Sequence, residues 1–361
     1  MLLIRILVVD DSVVNRQMLK KILSTVQEFE VVAVVSNGKL ALDRIPQLNP
    51  DIVILDIEMP EMNGLETLAR IRQQYDKLPV IMFSALTETG ASVTIQALSM
   101  GANDYVTKPS MSAQHNQEEL SSYILEAFVP RIRSLYQKYK PKLPSAVQHA
   151  PLREPVAERP TFAVKKVLQR VDIVGIGIST GGPNALAQLF PHFPEDFAVP
   201  ILVVQHMPPL FTRYLAERLD GLSQIRVVEA EENMLLEPRT AYIAPGNYHM
   251  LLQTREGSPC ISLNQDPPEN SCRPAVDVLF RSIAMTFGSS CLGVVMTGMG
   301  QDGLRGCEQI SAAGGQILTQ DEASSTIWGM PGYVARSGLA DKILPLDALG
   351  PEIVKRVRFR R

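Results

Sequence analysis

From residue 4 to about residue 140 the chain alternates short apolar runs with longer stretches of helical period, and this alternation limits the fold more than any single motif does. The runs are Ile4 to Val9, Val31 to Val35, Ile52 to Leu55, Val80 to Phe83, and Tyr105-Val106. Apolar strands separated by ten or more helical residues predict βα repeats and a parallel sheet. Five strands and five helices fit a flavodoxin-like doubly wound α/β domain over residues 1–130. A last helix, from about Gln114 to Lys140, runs into Pro141, Pro144, Pro151, Pro155 and Pro160. Residues 131–167 therefore read as a helix extension and a linker. Between residues 131 and 170 stand ten Lys or Arg against two Glu, which marks the linker as basic and solvated.

Beyond the linker the alternation resumes with Val171 to Ile176, Val199 to Val204, Arg226 to Val228, Ala241 to Ile243 and Leu292 to Met296. These predict a second, Rossmann-like doubly wound parallel sheet over residues 168–350, with a β-hairpin inserted around His249 and Cys260 to Leu263. Residues 351–361, rich in Lys and Arg, read as a basic solvated tail. At 361 residues and 45% hydrophobic, the chain has enough apolar material for two buried cores. It lacks the roughly 20 consecutive apolar residues of a membrane span, and its start has no small-residue cleavage site, so a cytoplasmic protein without membrane insertion is expected. A net charge of −3 argues against a general nucleic-acid binder. Cys260, Cys272, Cys291 and Cys307 show neither zinc-site nor disulfide spacing and read as free thiols.

In a doubly wound sheet, functional groups collect at the carboxyl ends of the strands. Asp10 and Asp11 end the first run, Asp56 the third and Ser84 the fourth, while Lys108 follows the fifth. Carboxylates crowded together repel one another unless an oxygen-seeking divalent ion holds them ionised. Mg²⁺ held by Asp10, Asp11 and Asp56 suits a site that also receives a phosphoryl oxygen. Asp56 is then the nucleophile, Ser84 a hydroxyl donor to the phosphoryl group, and Lys108 the charge that neutralises it. Taken singly, any of these residues could be a helix cap or a surface charge.

In the second half, Gly177-Ile178-Ser179-Thr180-Gly181 follows an apolar strand and precedes a helix starting near Pro183, the setting of a nucleophile elbow. A dinucleotide loop is the rival for Gly175-Ile176-Gly177, but its third glycine and distal acid are missing. A serine nucleophile needs a base, and of the five histidines only His206 ends a strand in this sheet. Asp302 follows the strand Leu292 to Met296 through Thr297-Gly298-Met299-Gly300 and could orient His206. The N–H groups of Thr180 and Met299 are candidate oxyanion donors, each worth roughly 100- to 1000-fold in rate.

Val9-Asp10-Asp11-Ser12, Leu55-Asp56-Ile57-Glu58-Met59-Pro60 and Val106-Thr107-Lys108-Pro109 resemble the receiver domains of response regulators. The resemblance implies phosphotransfer to Asp56, with Ser84 and Tyr105 as switch residues, although Tyr105 is equally well read as strand packing. With the receiver in front, several further strings resemble the chemotaxis response-regulator protein-glutamate methylesterases. They are Ser179-Thr180-Gly181-Gly182-Pro183, Gln205-His206-Met207-Pro208, Ala244-Pro245-Gly246, Val276-Asp277-Val278-Leu279-Phe280, Thr297-Gly298-Met299-Gly300 and Gly329-Met330-Pro331. That family implies hydrolysis of γ-glutamyl methyl esters on methyl-accepting chemoreceptors, deamidation of receptor glutamines, and no cofactor for the ester chemistry. It also implies a chemotaxis histidine kinase as phosphodonor and a receiver that covers the Ser179 cleft until Asp56 is phosphorylated. The chain departs from the family pattern at Ile178, Gln301 and Cys272-Arg273-Pro274-Ala275. Two other readings stay open on the residues alone: an esterase of another signalling system, and a non-catalytic two-component adaptor. No basic recognition helix follows the linker, which disfavours a DNA-binding regulator.

Overall fold

The computed structural model describes residues 3–109, 117–139, 169–255 and 257–358. The first unit runs β1 (Ile4–Val9), α1 (Val13–Leu23), β2 (Phe29–Val35), α2 (Gly38–Leu48), β3 (Ile52–Asp56), α3 (Gly64–Gln74), β4 (Val80–Ser84), α4 (Glu88–Ser99), β5 (Asp104–Thr107) and α5 (Gln117–Tyr139). Its sheet has the order β2-β1-β3-β4-β5, with every pair parallel. The central strands β3 and β4 are buried along their whole length, because helices cover both faces. Side chains cap the helices at their N-termini: Ser12, Asn37, Asn63 and Thr87 each accept a backbone N–H at the start of α1 to α4. Ser12 thus serves as a cap beside the acidic pair rather than as part of it.

The second unit begins β6 (Ile173–Ile178), α6 (Gly182–Leu189), β7 (Ile201–Gln205), α7 (Phe211–Asp220), β8 (Arg226–Glu229) and β9 (Thr240–Ile243). The hairpin β10 (His249–Arg255) and β11 (Ser258–Asn264) follows, then α8 (Val276–Phe287), β12 (Cys291–Val295) and α9 (Leu304–Ala312). The chain closes with β13 (Gln316–Gln320), α10 (Met330–Ser337), β14 (Lys342–Leu344) and α11 (Leu346–Arg358). The sheet order is β14-β13-β12-β6-β7-β9-β8, all parallel, and β10-β11 stands apart as an antiparallel ribbon. Strand order reverses beside β6, the first strand laid down, so the strand ends of β12, β6 and β7 frame a topological switch point. No helix among the described residues is long and apolar enough to cross a membrane.

One expectation is corrected. Residues 351–358 are not a solvated tail but most of α11, which packs Ile353 and Val357 into the core at 0% and 4% exposure. Arg356 is buried with them, reaching Gln316 at 2.8 Å, Asp341 at 3.1 Å and Glu352 at 3.1 Å. The cation is tolerated because three partners satisfy its guanidinium. Charge alone suggested solvent; the i, i+4 spacing of Ile353 and Val357 was the signal for a buried face. Strands β13 and β14 and helix α10 also lay outside the sequence reading. The proline-rich linker falls on residues 140–168, outside the described residues.

If α11 is part of the core, Ile353→Ala should destabilise the C-terminal unit by about 2–4 kcal/mol. Chemical denaturation of the full chain reads this as a lower midpoint for that unit. An unchanged midpoint would restore the solvated tail.

Candidate active site

Two clusters occupy the carboxyl ends of the two sheets. In the first, Lys108 Nζ lies 2.7 Å from Asp56 Oδ1 and 3.2 Å from Asp10 Oδ2. Asp10 and Asp56 are buried while Asp11 is exposed, and carboxylate oxygens of all three lie within 4.8 Å of one another. Asp56 Oδ1 also accepts the Ile57 N–H at 2.7 Å, but Asp56 Oδ2 is buried without a partner. Burial first, and then the charge of Asp10, outweighs Lys108 and pushes the Asp56 carboxyl up to about 6. An orphaned oxygen in a trio of hard carboxylate donors fits a small divalent cation such as Mg²⁺. Ser84 sits at the same edge, wholly buried, with its hydroxyl donated to Gly90 O at 3.2 Å, toward α4.

In the second cluster, Ser179 follows β6, His206 follows β7, and Asp302 lies in the turn after β12. Because β12, β6 and β7 are neighbours, three residues up to 123 positions apart converge without any long side-chain reach. The ladder continues past the strand ends: Ser179 N–H donates to Thr297 O at 2.9 Å, and His206 N–H to Ile178 O at 3.2 Å. His206 Nε2 donates to Asp302 Oδ2 at 2.8 Å. Asp302 in turn accepts the N–H groups of Val276 at 2.7 Å, Asp277 at 2.9 Å and Gly303 at 2.9 Å, and the Asn270 amide at 3.1 Å. Burial opposes ionisation of Asp302, but His206 and these N–H donors overcome it and hold its carboxyl below the usual range. Burial likewise opposes charging of His206, yet Asp302 and the Cys272 sulfur beside Nδ1 push it up to about 10.

The elbow itself is set by close approaches. Gly181 adopts φ 78° at the start of α6, and a Cβ there would meet Thr326 Oγ1 at 2.4 Å. A Cβ on Gly298 would meet Met330 Sδ at 2.4 Å and the Ser179 Cβ at 2.8 Å. Thr297 locks the two turns together, donating its hydroxyl to Thr180 O at 2.9 Å while accepting Thr326 N–H and Ile327 N–H at 3.0 Å. Thr180 and Met299, the candidate oxyanion donors, line the same cleft as Ser179 and His206. Thr180 Oγ1 is buried and unpartnered beside them. No hydrogen bond joins Ser179 Oγ to His206 in this arrangement.

A cleft of about 770 Å³ contains Ser179, Thr180, His206 and Met299 on one wall and Tyr105, Thr107, Tyr123 and Arg131 of the first unit on the other. The first unit therefore forms one wall of the cleft that holds Ser179. Tyr105, 9% exposed, stacks on Phe211 with ring centroids 5.0 Å apart and planes 13° from parallel. At the far end of α5, Ser134 donates to Thr326 O at 2.8 Å and Lys138 to Ser325 O at 3.1 Å, on the segment that braces Gly181 and Thr297. Asn184 donates to Ala102 O at 3.0 Å.

Several site residues escaped the sequence reading. Gln205, 2% exposed, donates to Ser179 O at 3.0 Å and to His206 O at 3.3 Å, tying the backbones of the two residues together. Asn270 bridges Asp277 and Asp302. Only adjacency to His206 hinted at the first, and no local pattern marked the second. Gly298→Ala should displace Ser179 and reduce ester hydrolysis at least about 100-fold, in line with the cost of misplacing reacting groups by an ångström. The unfolding midpoint should move far less than that of Ile353→Ala; retained hydrolysis would break the assigned packing.

Comparison with known proteins follows this geometry. Residues 174–353 match the CheB methylesterase family model and residues 6–118 that of the response regulator receiver domain. A protein of Trichodesmium erythraeum named protein-glutamate methylesterase/protein-glutamine glutaminase is 52% identical over 354 residues, covering 98% of this chain and 99% of that protein. One of the same name from Pyrococcus horikoshii is 42% identical, covering 99% of this chain and 95% of that protein. The crystal structure of the Thermotoga maritima CheB methylesterase catalytic domain superposes with a TM-score of 0.51 at 38% identity, covering 52% of this chain and 99% of that one. The receiver in front, the serine elbow on the second sheet and these whole-length matches make this chain a member of the protein-glutamate methylesterase/protein-glutamine glutaminase family.

Proposed function

We propose that this chain hydrolyses γ-glutamyl methyl esters on chemoreceptors, releasing methanol, deamidates receptor glutamines, and is switched by phosphorylation of Asp56. The observation that carries the reading is the convergence of Ser179, Thr180, Met299 and an Asp302-bound His206 at one cleft faced by the receiver. The neutral form of His206, with Nε2 held by Asp302, takes the Ser179 proton on Nδ1 as the hydroxyl oxygen attacks the ester carbon. The Thr180 and Met299 N–H groups meet the oxygen that gains charge. His206 then gives the proton to the departing methanol, or to ammonia from a glutamine, leaving a glutamyl ester on Ser179. Water activated by the same imidazole frees the glutamate and restores the serine.

The cleft shared by the two units supports control by the receiver. A phosphohistidine of a cytoplasmic histidine kinase is the phosphodonor to Asp56, with Asp10, Asp11 and Asp56 as ligands of Mg²⁺. The ion, when bound, offsets the charge of the transferring phosphoryl group. Lys108 then exchanges a carboxylate for a phosphoryl oxygen, and Ser84 gives up Gly90 O to reach it. Movement of β5 and α4 is felt by the Tyr105 stack on Phe211, which supports release of the cleft by a shift between two arrangements.

Methanol release from methylated receptor membranes tests the reading. Wild type should release it faster with a phosphodonor. Ser179→Ala should lose at least about 1000-fold of the rate, and Asp56→Asn should keep the basal rate but not the response. No release from wild type in either condition would sink the proposal.

The raised Asp56 carboxyl also makes a stability prediction. With its folded value near 6 against an ordinary 3.8, the native receiver binds more protons than the unfolded chain between these values. Stability is therefore lost as pH rises through 6. In metal-free buffer Asp56→Asn should stabilise the receiver by about 1–2 kcal/mol at pH 7.5 and by little at pH 4. Thermal unfolding at the two pH values checks it, and a destabilised variant at pH 7.5 would reverse the sign.

A further inference from the structure

His206 has two ring nitrogens, and Asp302 takes one of them. Asp302 cannot change sides, since four further donors fix its carboxylate. Nδ1 is therefore the nitrogen left to serve Ser179, and the group beside it is Cys272, with Sγ at 3.5 Å. That placement is built into the fold. Glu269 and Cys272 exchange backbone hydrogen bonds at 3.1 and 2.9 Å around a two-residue turn, Asn270 and Ser271, whose φ values of 53° and 61° are left-handed. Arg281 clamps Glu269 with two hydrogen bonds of 2.7 Å. One turn thus aims Asn270 at Asp302 and Cys272 at His206.

We infer that Cys272 is a positioning residue for the esterase reaction: its thiol occupies the Nδ1 side of His206 in the covered state and competes with Ser179 for the base. The inference rests on the esterase reading above. An imidazole engaged by the Cys272 sulfur on one side and a carboxylate on the other is stabilised as imidazolium, a form that cannot accept the serine proton. The cleft's other charged groups are committed or distant in role. Arg131 pairs with Asp104 at 2.9 Å, and Arg273 is held by Asn247 and by the carbonyls of Gln265 and Asp266. Glu126 lines the receiver wall, and Asp277 stands behind Asp302, held by Gly303 N–H, Gly306 N–H and Asn270. The contact to Nδ1 is left to Cys272.

Cys260, Cys291 and Cys307 are buried and Cys272 is half-buried, so alkylation of the full chain by iodoacetamide, read on the Cys272 peptide by mass spectrometry, reports this one thiol. At pH 7 its rate should change several-fold in His206→Gln, which removes the ring nitrogen that the sulfur contacts. Equal rates would overturn the inference. In hydrolysis of 4-nitrophenyl acetate, Cys272→Ala should move the rising limb of the pH profile to lower pH and raise the rate at pH 7 several-fold. Cys272→Ser should keep much of the wild-type profile. A Cys272→Ala profile that superimposes on wild type would also overturn it. If wild type hydrolyses the ester no faster than Ser179→Ala, the esterase reading fails, whereas the alkylation comparison still reads the thiol contact by itself.

Discussion

Much of the catalytic unit is organised by one buried anion. The Asp302 carboxylate, 2% exposed, accepts hydrogen bonds from the first two N–H groups of α8, from its own following residue, from Asn270 and from His206. Helix α8 has no side-chain cap of its own, and Asp302 supplies one from a turn 25 residues away. A carboxylate at a helix N-terminus is favoured by the local dipole and by N–H groups that would otherwise be orphaned. The same contact fixes α8 against the β12 turn and aims the imidazole. Capping of α8 and orientation of His206 therefore share one carboxylate, and the desolvation cost of the charge is met by five donors rather than by the histidine alone.

The two units meet beside the cleft that holds Ser179 and His206. The receiver edge formed by β5 and α5 supplies Tyr105, Ser134 and Lys138, and these reach Phe211 and the carbonyls of Thr326 and Ser325. Thr326 also meets Thr297 and packs against Gly181, so a shift of α5 is mechanically adjacent to the serine elbow. Helix α4 also packs on α6 and α7, and one buried hydrophobic cluster runs from Leu98, Ala102 and Tyr105 of the first unit to Ala185, Phe211 and Leu215 of the second.

Legibility in the sequence tracked how local each signal was. Strand periodicity gave both sheets because burial on two faces leaves long apolar runs such as Ile52 to Leu55 and Ile201 to Val204. Ser179, His206 and Asp302 were legible because each sits within a few residues of a strand end, where the chain must turn. The C-terminal helix was misread because Lys355, Arg356 and Arg358 dominate its composition, while Ile353 and Val357 decide its packing. Arg356 finds Gln316 and Asp341 only after β13 and β14 are in place, and no local rule announces such partners.

The sequence by itself determined which residues end strands, which turns need glycine, and hence which chemistry is available to each sheet. Those are properties of short segments, governed by periodicity and backbone sterics. Tertiary structure alone decided that β12, β6 and β7 lie side by side, that Asn270 and Cys272 reach the Asp302–His206 pair from one turn, and that Tyr105 packs on Phe211 over the cleft. These depend on strand order and on contacts between distant segments. The energy of such contacts is set by burial and by the partners present, neither of which is written at any one position along the chain.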